Sequence, residues 1–336
     1  MLLYLKGAVV VSFLKIPPAI LTPQKIMKKF LIIDTFNFFH RAYYALPPTL
    51  TDSKDRQVNA IYGTASMLLS IFDLISPDYA VAALESKEKV ERKKQFEDYK
   101  AHRKPMDEEL KAQIPLLFEL LEGFGIKQVM ASGYEADDVI GTLTAQFGEI
   151  GQLVICSNDR DLWQLVDDGI LVMSPKKGGR DADWIDTRAV KAHFGFGPEY
   201  VVDYKALTGD SSDNIPGVKG IGKVTATKLI KAYGHLEEIY ANLDEISGSV
   251  GKKLSQQREE AFLSYDLATI VTDLDLEVAL EDCAFSGLDK GSVRGVLEHF
   301  SFYSLVKRLA SNGYISDASK DNPSANSQSP SQLNLF

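Results

Sequence analysis

The sequence predicts an α/β protein: a mostly parallel central sheet flanked by helices and continued by a helical portion. Three observations carry this reading. Short apolar runs alternate with helix-period segments as far as about Asp186. Beyond Asp186 the periodicity becomes mostly helical. Acidic residues recur where strands end and helices begin, and the carboxyl ends of parallel strands all face one crevice.

Residues 1–27 read as a leader or an upstream start choice. The apolar run Ala8 to Leu14 is too short to span a bilayer, and Pro17, Pro18 and Pro23 follow it with no clear small-residue cleavage pattern. Met27-Lys28-Lys29 runs directly into a first strand, Phe30 to Asp34, and further strands are expected over Tyr79 to Leu84, Lys127 to Ala131, Leu153 to Cys156 and Ile170 to Met173. Helices are expected over Asn59 to Ile75, Asp107 to Phe124 with a kink at Pro115, and Ala136 to Phe147, with Gly125, Gly148 and Gly151 marking ends. The α/β core so defined covers residues 28–185 and the helical portion 186–314, with helical patterns over Thr187 to Phe194, Tyr200 to Leu207, Thr225 to Ala232 and Lys252 to Leu263. Ser, Asn, Pro and Gln dominate from Ser316 to Gln332, a composition that buries too little apolar surface to order itself, so residues 315–336 read as a flexible tail.

A chain of 336 residues with 45% hydrophobic content supports a substantial core. Cys156 and Cys283, in no Cys-x-x-Cys pattern, indicate neither a disulfide framework nor structural zinc, and fit a reducing cytoplasm. The net charge of −9 argues against a nucleic-acid partner, yet charge distribution matters more than its sum. Lys87, Lys89, Arg92, Lys93, Lys94, Lys100, Arg103 and Lys104 crowd one segment, and Lys219, Lys223, Lys228 and Lys231 another.

The junction acids are Asp34, Glu85, then Glu135, Asp137 and Asp138, then Asp159 and Asp161, then Asp210 and Asp213. Unpaired, such a cluster repels itself and loses solvation, whereas hard divalent ions with oxygen ligands offset both costs. Gly133-Tyr134-Glu135-Ala136-Asp137-Asp138 puts more acids at one helix start than capping needs. The loop Asp210-Ser211-Ser212-Asp213 lacks the glycine and distal glutamate of a calcium loop, so Mg2+ or Mn2+ is expected. The chemistry to expect there is phosphoryl transfer to water.

Gly217-Val218-Lys219-Gly220-Ile221-Gly222-Lys223-Val224 approaches a P-loop but ends in Val224, which offers magnesium no hydroxyl. A glycine-rich turn opening a helix instead exposes backbone N–H groups that hold a phosphodiester without reading bases. On this reading Gly217, Lys219, Gly220, Gly222 and Lys223 face DNA.

Two blocks, Gly133 to Asp138 and Leu207 to Gly222, make the stretch from Met27 to Tyr314 resemble the 5′-nuclease domain of bacterial DNA polymerase I and, more broadly, the flap endonuclease superfamily. The resemblance implies a PIN-like 5′-nuclease fold in which all nine junction acids except Glu85 fall on metal-site positions, some binding through water. It implies a helical arch over residues 86–105, with Lys100 and Arg103 approaching the scissile phosphate and Arg41 and Arg92 as further basic positions. It also implies a helix-three-turn-helix over 214–232 that grips duplex backbone, in some members with a K+ ion. Glu85 stands where the family usually has Asp, and His40 replaces a common Tyr. With no polymerase or proofreading segment after Tyr314, the chain reads as a free-standing nuclease. The end Gln332-Leu333-Asn334-Leu335-Phe336 resembles the peptide by which bacterial replication proteins dock on the sliding clamp through residues such as Gln332, Leu333, Leu335 and Phe336.

The expectation is a monomeric, cytoplasmic 5′ nuclease with no membrane partner, acting on DNA with a 5′ flap, nick or free 5′ end. Two divalent ions about 4 Å apart would activate water and stabilise the leaving 3′ oxygen. A DNA-structure-binding protein with weakened turnover and a nuclease acting mainly on RNA are the alternatives.

Overall fold

The computed structural model describes residues 27–86, 88, 90–176, 181–288 and 291–315. The six-stranded sheet comprises β1 (Lys28–Asp34), β2 (Tyr79–Ala83), β3 (Lys127–Val129), β4 (Gly151–Cys156), β5 (Ile170–Pro175) and β6 (Ala182–Ile185), in the order β3-β2-β1-β4-β5-β6. All pairs are parallel except β5 with β6.

The continuous apolar run of β1 follows from burial on both faces. Phe30 and Ile32 enter one core cluster with the helix Ala136–Phe147, while Leu31 and Ile33 enter another with the helix Asn59–Ile75. From β1 the chain moves outward to β2 and β3, then returns to β4 on the other side of β1. Strand order therefore reverses between β1 and β4, and a crevice opens at their carboxyl ends. Asp34 closes β1 there, and Ser157 to Asp161 follow β4.

Each strand expected from sequence is present. β6 is an addition, a short antiparallel edge whose middle residues, Asp183 and Trp184, are both exposed, so it shows no alternation to read. The helix Thr35–Ala45, also unanticipated, is capped by Asp34, whose side chain accepts from the Asn37 N–H. The expected helix Asp107 to Phe124 is two pieces, Glu108–Lys111 and Ile114–Gly123. Gln113, 1% exposed, occupies the break and exchanges hydrogen bonds with Asn59 and Ala60. Pro115 falls in the first turn of the second piece, where a missing N–H costs nothing. Lys252 to Leu263 is likewise divided at Gln257 into Gly248–Gln256 and Arg258–Ala268.

The arch segment also differs from expectation. Among its described residues, helix extends only over Glu91–Gln95, and turns carry the chain from there through Arg103. After Ala268 an extended strap, residues 269–279, runs along the helix Ala136–Phe147, held by bonds from Leu274 N–H to Thr142 Oγ1 and from the Gln146 amide to Val278 O. The last two helices, Gly291–His299 and Tyr303–Ser311, leave the other C-terminal helices and pack on the Leu31/Ile33 face of the sheet.

The close approach of Ile114–Gly123 to Gly291–His299 depends on Gly123, where an added Cβ would lie 2.4 Å from the Val296 Cβ. Gly123→Ala therefore destabilises the protein by about 1–3 kcal/mol in urea unfolding although alanine is the better helix former. Gly123→Ala combined with Val296→Gly, which removes the opposing Cβ and both methyls, should lose clearly less than the sum of the two single changes; simple additivity would contradict the packing account.

Candidate active site

The crevice is built from the end of β1 outward. Asp34, 6% exposed, accepts a 2.6 Å hydrogen bond from Ser157 Oγ; the same hydroxyl accepts from Asp159 N–H at 3.0 Å, and Asp159 Oδ1 accepts from Asp161 N–H at 2.9 Å. Asp137, on the first turn of the helix Ala136–Phe147, faces the same space. Burial, opposed by the Ser157 hydrogen bond and reinforced by Asp159 and Glu85, pushes the Asp34 carboxyl up to about 7. Burial first, then the charges of Asp159 and Asp34, drive Asp137 well above the usual carboxylate range. Glu85 stands at the open rim with an exposed side chain, yet loss of hydration among the acids still raises it, against the pull of Lys100. Among the described residues, Asp34, Glu85, Asp137 and Asp159 form no ion pair.

The remaining acids are held by protein cations. Lys205, 9% exposed, bridges Asp161 and Asp210, reaching Asp210 Oδ2 at 2.7 Å. The two carboxyls respond oppositely. Burial raises Asp161 to about 6 despite Lys205, with Asp159 adding to the rise. Asp210 also accepts from Ser212 N–H and Oγ, and against the cost of burial falls to about 2. On the facing wall Lys100 Nζ lies 2.5 Å from Glu135 and 3.5 Å from Asp213, Arg103 donates to Asp213 at 2.5 Å, and the Tyr99 hydroxyl donates to Glu135 at 2.9 Å. Lys100 has φ +52°, a conformation costly for a non-glycine residue, and its N–H bonds Asp213 O at 2.9 Å. The strained residue thus carries the ammonium into the acidic crevice.

Several expectations need correction. Among the described residues no group of three or more His, Cys, Asp or Glu side chains is arranged to hold a metal ion; most of the expected ligands are engaged by Lys or Arg instead. All their donors are carboxylate oxygens, which suit a hard divalent ion, and gathering them requires Lys100 and Lys205 to yield. Asp138 is fully buried and bound through both oxygens to Arg92, each contact 2.7 Å, so it is a structural acid rather than a ligand. Arg92 is equally withdrawn, 8% exposed, and cannot contact DNA. Gly217 is buried with φ +61°; its N–H bonds Ser264 Oγ, and a Cβ there would lie 2.2 Å from Gly209 N, so it shapes the turn and offers nothing to a ligand.

Other expected residues stand where a ligand can reach them. Lys219, Gly220, Gly222 and Lys223 are exposed at the start of the helix Lys223–Tyr233, beside Val224 at 71% exposure. Arg41 bonds Pro175 O at 2.6 Å and Asn158 Oδ1 at 3.2 Å, holding the Asn158 loop without touching the acids. The peptide Gln332 to Phe336 and residues 1–26 lie outside the described residues. Sequence reasoning missed Lys205, Tyr99 and Ser157. Nothing in the local sequence marks Lys205 as buried; Tyr99 could have been noticed as the one aromatic directly before Lys100.

Comparison with known proteins agrees with this architecture. Residues 29–195 match the family model of the 5′-3′ exonuclease N-terminal resolvase-like domain, and residues 196–291 that of the 5′-3′ exonuclease C-terminal SAM fold. The chain is 37% identical to a 5′-3′ exonuclease of Aquifex aeolicus, over 84% of this chain and 96% of that protein. The chain belongs to the 5′-3′ exonuclease family. It is also 44% identical to DNA polymerase I of Caldicellulosiruptor bescii, over 84% of this chain but only 33% of the relative. The chain thus spans about a third of the polymerase relatives it matches. In fold it is similar to the bacteriophage T5 D15 flap endonuclease, solved in a pseudo-enzyme-product complex with DNA and metal ions (TM-score 0.60, 21% identity, 82% of this chain and 100% of that one). Human GEN1, solved with Holliday junction DNA, gives a TM-score of 0.53 at 15% identity, over 83% of this chain and 68% of that one. These likenesses show that the mostly parallel sheet flanked by helices is a fold shared with those chains.

Two outcomes follow from the geometry. The folded Asp34 carboxyl, at about 7, lies above its ordinary value of 3.8, so its ionisation opposes folding. In chelator, wild type should lose stability relative to Asp34→Asn as pH rises from about 4 to 7, with a constant gap above that; thermal melts showing a pH-independent gap would contradict this. Lys205→Met leaves Asp161 and Asp210 buried without their cation and should cost about 3–5 kcal/mol, partly recovered by adding Asp161→Asn and Asp210→Asn. Chemical denaturation measures both.

Proposed function

We propose that the chain is a metal-dependent 5′-3′ exonuclease and flap endonuclease that hydrolyses DNA phosphodiesters at or near a free 5′ end, in replication and repair. The observation that carries this is the opposition of two walls. Asp34, Asp137 and Asp159 crowd one side of the crevice, Asp34 and Asp137 with raised proton affinity, and Lys100 and Arg103 stand on the other.

Asp34, Glu85, Glu135, Asp137, Asp159, Asp161, Asp210 and Asp213 are the residues that would hold two Mg2+ or Mn2+ ions. Bound there, the ions would supply activated water and a counter-charge for the departing 3′ oxygen. Lys100 and Arg103 turn from the acids to the scissile phosphate and stabilise the charge that develops on its oxygens. Tyr99 and Arg41 hold the segments that carry these groups. The exposed turn Lys219 to Lys223 takes a duplex phosphate on the N-terminus of its helix, a backbone contact that carries no sequence preference and suits a K+ ion among its carbonyls. Both cysteines are free and buried, which fits the reducing cytoplasm proposed as its location; no helix among the described residues is long and apolar enough to cross a membrane, and the proposed acting form is a monomer. The sliding clamp is the partner proposed for Gln332 to Phe336.

A labelled 5′-flap duplex tests the reading. Wild type with Mg2+ should release the flap with a 5′-phosphate on the product and lose that activity in chelator; Lys100→Ala should lower the rate at saturating protein by about 100- to 1,000-fold. Binding without cleavage would overturn the proposal in favour of a DNA-structure-binding protein.

A further inference from the structure

We infer that Arg92 is a positioning residue: a buried pin joining the base of the basic segment 90–104 to the acidic helix and to the strap, so that Lys100 and Arg103 reach the crevice only while the pin is closed. Its helix, Glu91–Gln95, is a single turn and too short to hold itself. The guanidinium does the holding. Nη1 donates to Asp138 Oδ2 at 2.7 Å and to Glu135 Oε2 at 3.3 Å, Nη2 to Asp138 Oδ1 at 2.7 Å and to Thr269 O at 2.6 Å, and Nε to Leu267 O at 3.0 Å.

Five hydrogen bonds match the five N–H groups a guanidinium owns, so none is left for a phosphate. Asp138 is saturated in turn. It also accepts from Glu135 N–H at 3.1 Å and from Val271 N–H at 3.0 Å. One ion pair therefore fixes three segments that are remote in sequence. A second tie lies alongside, from Glu91 N–H to Gly133 O, and the far end of the segment rests on the Asp210 loop through Lys100 N–H to Asp213 O and the Asn214 amide to Asp98 O. Because Lys100 and Arg103 follow Arg92 closely in the chain, releasing the base frees the approach of both cations. The carboxylates of Glu135 and Asp137 flank Asp138 on the same helix start, so the pin also fixes the acidic wall. Lysine cannot substitute, since it has no planar fork to span Asp138 and both carbonyls.

The kinetic consequence rests on the proposed nuclease reading; the structural consequence does not. Arg92→Lys and Arg92→Gln, made in the full chain and checked for folding by circular dichroism, are measured in three ways. In chelator, the salt dependence of binding to a 5′-flap duplex should keep the wild-type slope. With Mg2+ at saturating protein, the single-turnover rate should fall about 100-fold in both variants, since charge without geometry does not restore the approach. Without DNA, tryptic cleavage after Lys100 and Arg103 should accelerate roughly tenfold or more. A wild-type rate in Arg92→Lys, a slope reduced by about one, or unchanged tryptic cleavage would overturn the pin and make Arg92 a phosphate contact or an inert buried charge. Should neither variant fold, Asp138→Asn, which keeps the shape and weakens the pair, is read by the same outcomes. A wild type that does not cleave defeats the nuclease reading alone, and the tryptic readout still decides the pin.

Discussion

Mutual repulsion among carboxylates that the fold forces into one crevice is the constraint on which the site depends. Asp34 has no choice of position: it ends a strand buried on both faces, beside the strand that delivers Ser157 and Asp159. Desolvation and like charge then act together on Asp34 and Asp137, and the protein answers with protons, hydrogen bonds or cations. Each acid in the crevice is distinguished by which of these it receives.

The cations divide the crevice into parts with different duties. Arg92 is spent entirely on Asp138, Glu135 and the carbonyls of Leu267 and Thr269, where the helix Arg258–Ala268 gives way to the strap, so it belongs to the architecture. Lys205, from a helix of the C-terminal half, locks the Asp161 and Asp210 loops together. Lys100 and Arg103 are different, because they arrive on a segment of turns with little helix of its own and one residue at positive φ. Under the proposed function, groups held that way exchange an acid for a phosphate. The same division explains why the glycines of 217–222 are not equivalent. Gly217 shapes a buried turn against Gly209, whereas Gly222 opens an exposed helix start.

Much of this was legible in sequence because it was written in apolar runs. The strands Phe30 to Asp34 and Leu153 to Cys156 read as continuous apolar runs since both faces are covered, and the acids at or just after their ends fall at the crevice by topology. The family motifs fixed the same positions, and the family itself is confirmed by the match over residues 29–291. What sequence could not separate was neighbours of like chemistry. Asp137 and Asp138 differ by about 100° around a helix, so one faces the crevice and the other the interior. Arg92 sits beside Lys93 and Lys94 in a run that gives no sign of which cation is buried. The divided helices at Gln113 and Gln257 depend on tertiary partners that no local propensity encodes.

The central claim is that the crowded acids await a divalent cation, and proton release on ion binding tests it most directly. Calorimetric titration with Mg2+ or Mn2+ near pH 6.5, repeated in buffers of different ionisation enthalpy, counts the protons displaced per ion. With Asp34 near 7 and Asp137 also raised by burial and its acidic neighbours, ion binding should expel protons at that pH, and Asp34→Asn should reduce the count. Binding with no proton release, or no binding at millimolar ion, would contradict the account.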